Sequence, residues 1–168
     1  FVSTVDSAFL GEGRCAIPVD ILERLGTERY VVFVPNSLTW HFAYKDIPKE
    51  TILRFFTMIA DEIIKAYPGC KLVLLPQTYD LRWGKYGDIH FFHELMPYLP
   101  KDSAVILPDP CHSDVQQAIV AKAQCVVGAR YHSIVFAINQ AVPFVALSYE
   151  HKIAGLLETL GLSHHCVN

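Results

Sequence analysis

Arg130 and His132 stand two positions apart in "GARYHSIVFA" (128–137), where an apolar run ends and a helical pattern begins. Arginine's planar fork suits a carboxylate or a phosphate, and histidine exchanges a proton near neutral pH, so the pair combines anion binding with acid or base chemistry. A helix opening near His132 would add unsatisfied backbone N–H groups and the positive end of a macrodipole. Lys152 would contribute a point charge from the next strand end, and Glu150 a second acid if burial raises its pKa. Such a pocket favours a small anion with two acidic groups. The plainer reading stays open beside it: an Arg at a strand end forms ordinary ion pairs, and a charged first helical turn also serves capping and solubility.

Other chemistries are weaker. His90 and His93 in "HFFHE" (90–94) share a helix face at i and i+3, but the pattern is not HExxH and no third ligand follows. "HHC" (164–166) is no stronger, and Cys111 beside His112 lies in a loop, where adjacency alone makes no Cys–His pair. Neither GxGxxG nor GxxxxGK[ST] occurs, which removes the simplest dinucleotide and nucleoside-triphosphate readings. No metal site is expected.

The elements that must hold these residues follow from the hydrophobic pattern. "YVVFVP" (30–35), "KLVLLP" (71–76), "AVILPD" (104–109), "CVVGA" (125–129) and "FVALSY" (144–149) read as strands, with a last short one in "HCV" (165–167). They alternate little between apolar and polar, as strands do when helices cover both faces of a parallel sheet. "KETILRFFTMIADEIIKAYPG" (49–69) spaces Ile52, Phe55, Phe56, Ile59, Ile63 and Ile64 helically and stops at Pro68-Gly69. Helices are also predicted over 113–123, with Ser113 as N-cap, over 132–140, and over 151–161, with a glycine C-cap. The irregular stretch "YDLRWGKYGDI" (79–89) reads as a working loop or lid.

These alternating units predict a doubly wound, mostly parallel Rossmann-like α/β sheet with order 3-2-1-4-5-6. Ligands of such sheets bind at the carboxyl ends of the strands, where the order reverses. That rule selects Asn36, Ser37, Gln77, Thr78, Asp109, Arg130, His132, Glu150, His151 and Lys152, with Asn36 and Ser37 facing Arg130 and His132. On pattern alone Asn36 and Ser37 are also ordinary turn residues.

At 168 residues the chain fits one domain with a sizeable core. Residues 1–29 break the βα rhythm and read as a linker from a preceding domain, leaving 30–168 as the Rossmann-like domain. The net charge of −3, without a basic run, argues against nucleic acid as a partner. Hydrophobic content is 52%, yet charges or prolines interrupt every apolar stretch before it could span a membrane. The 5 cysteines form no CxxC pair, the N-terminal residues carry no signal-peptide pattern, and a reducing cytoplasm fits best.

"GARYHSIVFAINQAVPFVALSYEHKIAGLLETLGL" (128–162) closely resembles the C-terminal signature of the polysaccharide pyruvyl transferase family, in which R-x-H leads into a helix and then P-x-x-x-x-x-Y-x-x-K. "VDSAFL" (5–10) is similar to that family's aspartate-containing segment near its interdomain junction. The resemblance implies the C-terminal domain of a GT-B-like fold, with the N-terminal domain of the same chain missing. It implies transfer of a pyruvyl group from phosphoenolpyruvate to two hydroxyls of a sugar, forming a ketal on a cell-surface polysaccharide or its lipid-linked precursor. No cofactor beyond that donor is implied. Arg130 and Lys152 would then hold the donor's anionic groups, His132 would act as general acid or base, and Glu150 as a second acid. Asn36, Ser37 and Gln77 are carried only by topology. A cytoplasmic location follows, open to a peripheral one at the inner face of the membrane. Without its first domain the chain alone is expected to bind donor weakly and to be inactive. Two other classes remain open: a GT-B glycosyltransferase or sugar-nucleotide epimerase domain, and a non-catalytic sugar- or anion-binding domain.

Overall fold

The computed structural model describes residues 7–10, 15–38, 41–79, 87–107, 111–149 and 151–167. Asp109 and Glu150 lie outside the described residues, as does most of the loop expected over 79–89.

Six strands form one parallel sheet: β1 (Tyr30–Val34), β2 (Lys71–Leu74), β3 (Ala104–Ile106), β4 (Val126–Gly128), β5 (Phe144–Leu147) and β6 (Cys166–Val167). Their order is β3-β2-β1-β4-β5-β6, the arrangement expected from the sequence. The helices are α1 (Val19–Leu25), α2 (Lys49–Ala66), α3 (Asp88–Leu95), α4 (Ser113–Val120), α5 (Tyr131–Asn139) and α6 (His151–Thr159). The chain therefore reverses direction across the sheet between β1 and β4, which pair in register Val32↔Val126, Phe33↔Val127 and Val34↔Gly128. That register puts the exits of the two strands level with each other.

The unbroken apolar character of the strands has its cause in two cores, one on each face. Val31, Phe33, Leu72 and Leu74 pack with Phe56, Ile63, Phe91 and Phe92 of α2 and α3. Val32, Val34, Val73 and Val126 face the other way, onto Ile119, Ile134, Ile153 and Leu157 of α4, α5 and α6. Each β1 residue thus buries its side chain on one helical layer or the other, and alternation of polarity has no place in it.

The stretch expected as a linker holds α1, whose Ile21 and Leu25, with Ile17 before it, are buried in the second core. The 3-10 turn Ser7–Leu10 also touches this layer, where Asn139 Nδ2 donates to the Ala8 carbonyl at 2.8 Å. Two local expectations are corrected. The N-cap of α4 is His112, whose Nδ1 accepts from Asp114 N–H at 3.4 Å, with Ser113 already the first helical residue. The end of the stretch 79–89 is helical, because Asp88 opens α3. The glycine stop of α6 is observed: Gly161 takes φ 69°, and Leu162 and Gly161 donate back to the Leu157 and Glu158 carbonyls. Among the described residues no helix is long and apolar enough to cross a membrane.

Candidate functional site at the carboxyl edge of the sheet

The turn from β4 into α5 is set by small residues. Gly128 ends β4, Arg130 is the extended N-cap residue of α5 with φ −111° and ψ 135°, and Ser133 Oγ donates back to the Arg130 carbonyl at 2.6 Å. A Cβ on Gly128 would stand 2.2 Å from Ser133 Oγ, so the close approach of strand and helix requires glycine. The first turn of α5, with the positive end of its dipole, opens at this edge.

Arg130 points across the end of β1 to the far side of the crevice. Its Nε and Nη2 donate to Asp88 Oδ1 at 3.1 and 2.5 Å. Asp88 Oδ2 accepts from the backbone N–H groups of Gln77 and Thr78, each at 2.9 Å, and Asp88 N–H donates to the Thr78 carbonyl at 3.0 Å. The aspartate is 2% exposed. One buried carboxylate thus ties the exit of β2, the start of α3 and the exit of β4 together, with at least four donors compensating its charge. The ion-pair reading of Arg130 is realised, and its partner is a residue the sequence did not single out.

The network continues through side chains. Gln77 Nε2 donates to Gln116 Oε1 at 2.5 Å, and Gln116 Nε2 donates to Tyr79 Oη and to the Cys111 carbonyl, both at 2.8 Å. Burial pushes the Cys111 thiol up to about 11, so Cys111 is a neutral packing group rather than a nucleophile, and His112 beside it is exposed.

The remaining expected residues fall into separate places. His132 is exposed, with its ring between those of Tyr131 (5.5 Å) and Phe136 (6.1 Å). Lys152 Nζ lies 4.2 Å from the centre of the Tyr131 ring, which brings the first turn of α6 beside the first turn of α5. Arg130, His132 and Lys152 therefore share the α5 opening. Gln77 joins them through Asp88. Asn36 is fully buried and its Oδ1 accepts from Leu38 N–H at 3.2 Å, a turn-forming contact, and Ser37 is half-buried beside it. His151 is exposed at the start of α6. His90 pairs with Glu94 at 3.1 Å, and no group of three metal-ligating residues occurs among the described residues.

Next to this charged edge lies a recess of 370 Å³, within the range of small-molecule sites. Ala129, Leu147, Ser148 and Tyr149 from the exits of β4 and β5 form one wall, and Tyr44, Phe55 and Phe56 another. No charged side chain stands among its described lining residues. Tyr44 Oη donates to the Tyr149 carbonyl at 3.2 Å, and the two rings meet edge to face at 6.3 Å. The edge therefore carries the buried Arg130–Asp88 pair, and the uncharged aromatic recess begins at Ala129, the residue before Arg130.

Fold and site together define a Rossmann-like α/β domain with its polar groups gathered at the topological switch point. Its fold is GT-B-like: the structure of an E. coli ADP-heptose LPS heptosyltransferase II superposes with a TM-score of 0.58 at 16% identity, over 99% of this chain and 44% of that one. The chain thus spans less than half the length of that enzyme. Residues 112–151 match the family model of polysaccharide pyruvyl transferase, the family whose signature the sequence resembles. The matched segment is the unit α4–β4–α5–β5 with the α5 opening at its centre. The matching family model and this structural neighbour are both named as transferases.

Proposed function

We propose that the protein is a pyruvyl transferase acting on a sugar of a cell-surface polysaccharide or its lipid-linked precursor, with phosphoenolpyruvate as donor. The observation that carries this reading is that the family match at 112–151 is centred on the β4–α5 turn that carries Arg130 and His132. Phosphoenolpyruvate presents a carboxylate and a phosphate, and Arg130, Lys152 and the α5 N-terminus supply donors for both. His132 moves the protons: it takes one from the attacking sugar hydroxyl, while the enol CH2 of the donor is protonated to CH3. The first hydroxyl adds to the donor's C2, the second closes the ketal, and phosphate leaves with the second hydroxyl's proton. Glu150 is the proposed acid for the enol carbon. A further Rossmann-like domain of the same chain supplies the acceptor side in this proposal.

The uncharged recess favours a second reading. A glycosyltransferase that takes a nucleotide sugar needs an apolar wall for the base, and Tyr44, Phe55 and Tyr149 provide such a wall next to cationic groups suited to a diphosphate. The test is to incubate the full-length protein with phosphoenolpyruvate and a panel of β-galactosyl and N-acetylmannosaminyl acceptors while following phosphate release. Acceptor-dependent release supports pyruvyl transfer. Silence across the panel, with tight binding of a UDP-sugar, replaces it with the glycosyltransferase reading.

A further inference from the structure

We infer that Tyr131 is a positioning residue for the α5 opening: its ring holds the Lys152 ammonium in place for a ligand's phosphate or carboxylate and sets where Lys152 stands relative to His132. The inference rests on the reading of Lys152 as anion-binding, and it gives a task to the position that the R-x-H pattern leaves unspecified.

Three features separate Tyr131 from an aromatic residue that only edges the core. Its ring is a fixed platform, half-buried and packed against the core that α4, α5 and α6 share with the sheet. It touches both groups at once: Lys152 Nζ stands over it at 4.2 Å from the ring centre, and the His132 ring meets it at 5.5 Å with the planes 85° apart. Lys152, finally, is exposed in the first turn of α6, where the positive end of the macrodipole disfavours a cation. The first turns of α5 and α6 contain no acidic residue, and among the described residues no carboxylate pairs with Lys152. The negative face of the Tyr131 ring is therefore what holds the ammonium there. Ile153, 1% exposed in the same core, anchors the backbone beside it. A lysine stem is long and flexible, so restraining it before a ligand arrives lowers the entropy lost on binding.

Tyr131→Leu removes the ring and keeps apolar bulk, whereas Tyr131→Phe keeps the ring. Inorganic phosphate is the probe, titrated by calorimetry against the full-length wild-type protein, both Tyr131 variants, Lys152→Met and the double variant Tyr131→Leu/Lys152→Met, with melting temperatures as folding controls. Lys152→Met is expected to weaken phosphate binding by about fivefold or more, the scale of one lost charge-assisted bond. Tyr131→Leu is expected to weaken it by about threefold, the scale of one exposed cation–π contact, and Tyr131→Phe to restore most of that loss. The double variant is expected to match Lys152→Met within about twofold, because Tyr131 acts through Lys152. Additive losses, or Tyr131→Phe binding as weakly as Tyr131→Leu, overturn the inference.

A second measurement needs no Tyr131 variant to fold. Protons over an aromatic face resonate upfield, so the Cε protons of Lys152, assigned by their loss in Lys152→Met, are expected upfield of the other lysines in the wild-type protein and to stay there at saturating phosphate. A Lys152 signal among the other lysines, or one that joins them when phosphate binds, overturns the inference and leaves the anion-binding reading standing. Phosphate bound by Lys152→Met as tightly as by the wild type, with the upfield signal present, removes Lys152 from the anion site and the inference with it.

Discussion

Gly128→Ala places the sharpest steric load on the turn that carries Arg130. Its Cβ would stand 2.2 Å from Ser133 Oγ, 3.2 Å from Ser133 Cβ and 3.4 Å from Ile134 Cδ1. β4 is paired on both sides here, with Gly128 opposite Val34 and Ala146, so the strand cannot retreat within the sheet. The Ser133 hydroxyl has to rotate away and gives up its bond to the Arg130 carbonyl inside a fully buried site. Overpacking costs roughly 1–3 kcal/mol and the lost buried hydrogen bond about 1 kcal/mol more. For a domain of this size a total of about 2–4 kcal/mol lowers Tm by roughly 5–15 °C. Differential scanning calorimetry of the wild type, Gly128→Ala, Ser133→Ala and the double variant measures this. Ser133→Ala alone should cost about 1 kcal/mol, and in the double variant it should recover part of the Gly128→Ala loss, since the clashing oxygen is gone. A Gly128→Ala protein that melts with the wild type, or one that Ser133→Ala fails to rescue, refutes the packing argument.

Tyr30, 6% exposed, donates its hydroxyl to the Ile119 carbonyl at 2.7 Å, and burial pushes its pKa from 10.0 to about 12. The neutral phenol is the form the fold favours, so this contribution is complete below pH 10 and is lost as pH rises from 10 toward 12. At about 1.4 kcal/mol per unit it amounts to roughly 3 kcal/mol. Tyr30→Phe should cost about 1 kcal/mol at pH 7 through the lost bond and flatten the fall in stability above pH 10 in urea titrations; an unchanged alkaline slope contradicts the assignment. Cys111→Ala should likewise reduce the loss of stability between pH 9 and 11, because its thiol is raised from 9.0 to about 11 by burial. Lys152→Met removes an exposed ammonium over Tyr131 and should change stability by less than about 1 kcal/mol while weakening phosphoenolpyruvate binding about tenfold. Equal affinity of the two proteins, read by calorimetry, removes Lys152 from the site.

The sheet was legible because its residues state their environment. Strands such as "YVVFV" are apolar on both faces, the interposed segments have helical spacing, and handedness leaves few orders for such a chain. The shared position of Arg130, His132 and Lys152 followed from strand ends and one helix start. Asp88 did not follow, since its partner is 42 residues away and the pairing exists only once β2 and β4 flank β1. A signal was present: an aspartate opens the apolar run "DIHFFHEL" after the β2 exit, on the same sheet edge as Arg130. The eight-residue helix α3 was hidden by the glycine and aromatic residues before it. Gln116 lies on a buried face of α4, where a polar residue among Ala118, Ile119 and Val120 marks a hydrogen-bonded position. The N-cap of α4 shifted by one residue because a histidine nitrogen accepts the helix N–H as a serine hydroxyl would.

The most direct test of the proposed chemistry separates binding from turnover at His132. The wild-type full-length protein and His132→Ala are each titrated with phosphoenolpyruvate, then assayed for phosphate release with a competent acceptor. His132 is exposed at the α5 opening, so its loss should leave the fold and donor affinity within about twofold of wild type. Release of phosphate should fall by about two orders of magnitude or more, the contribution of one general acid or base. Turnover equal to wild type in His132→Ala, with donor bound equally by both proteins, contradicts the assignment of the proton carrier to this strand edge.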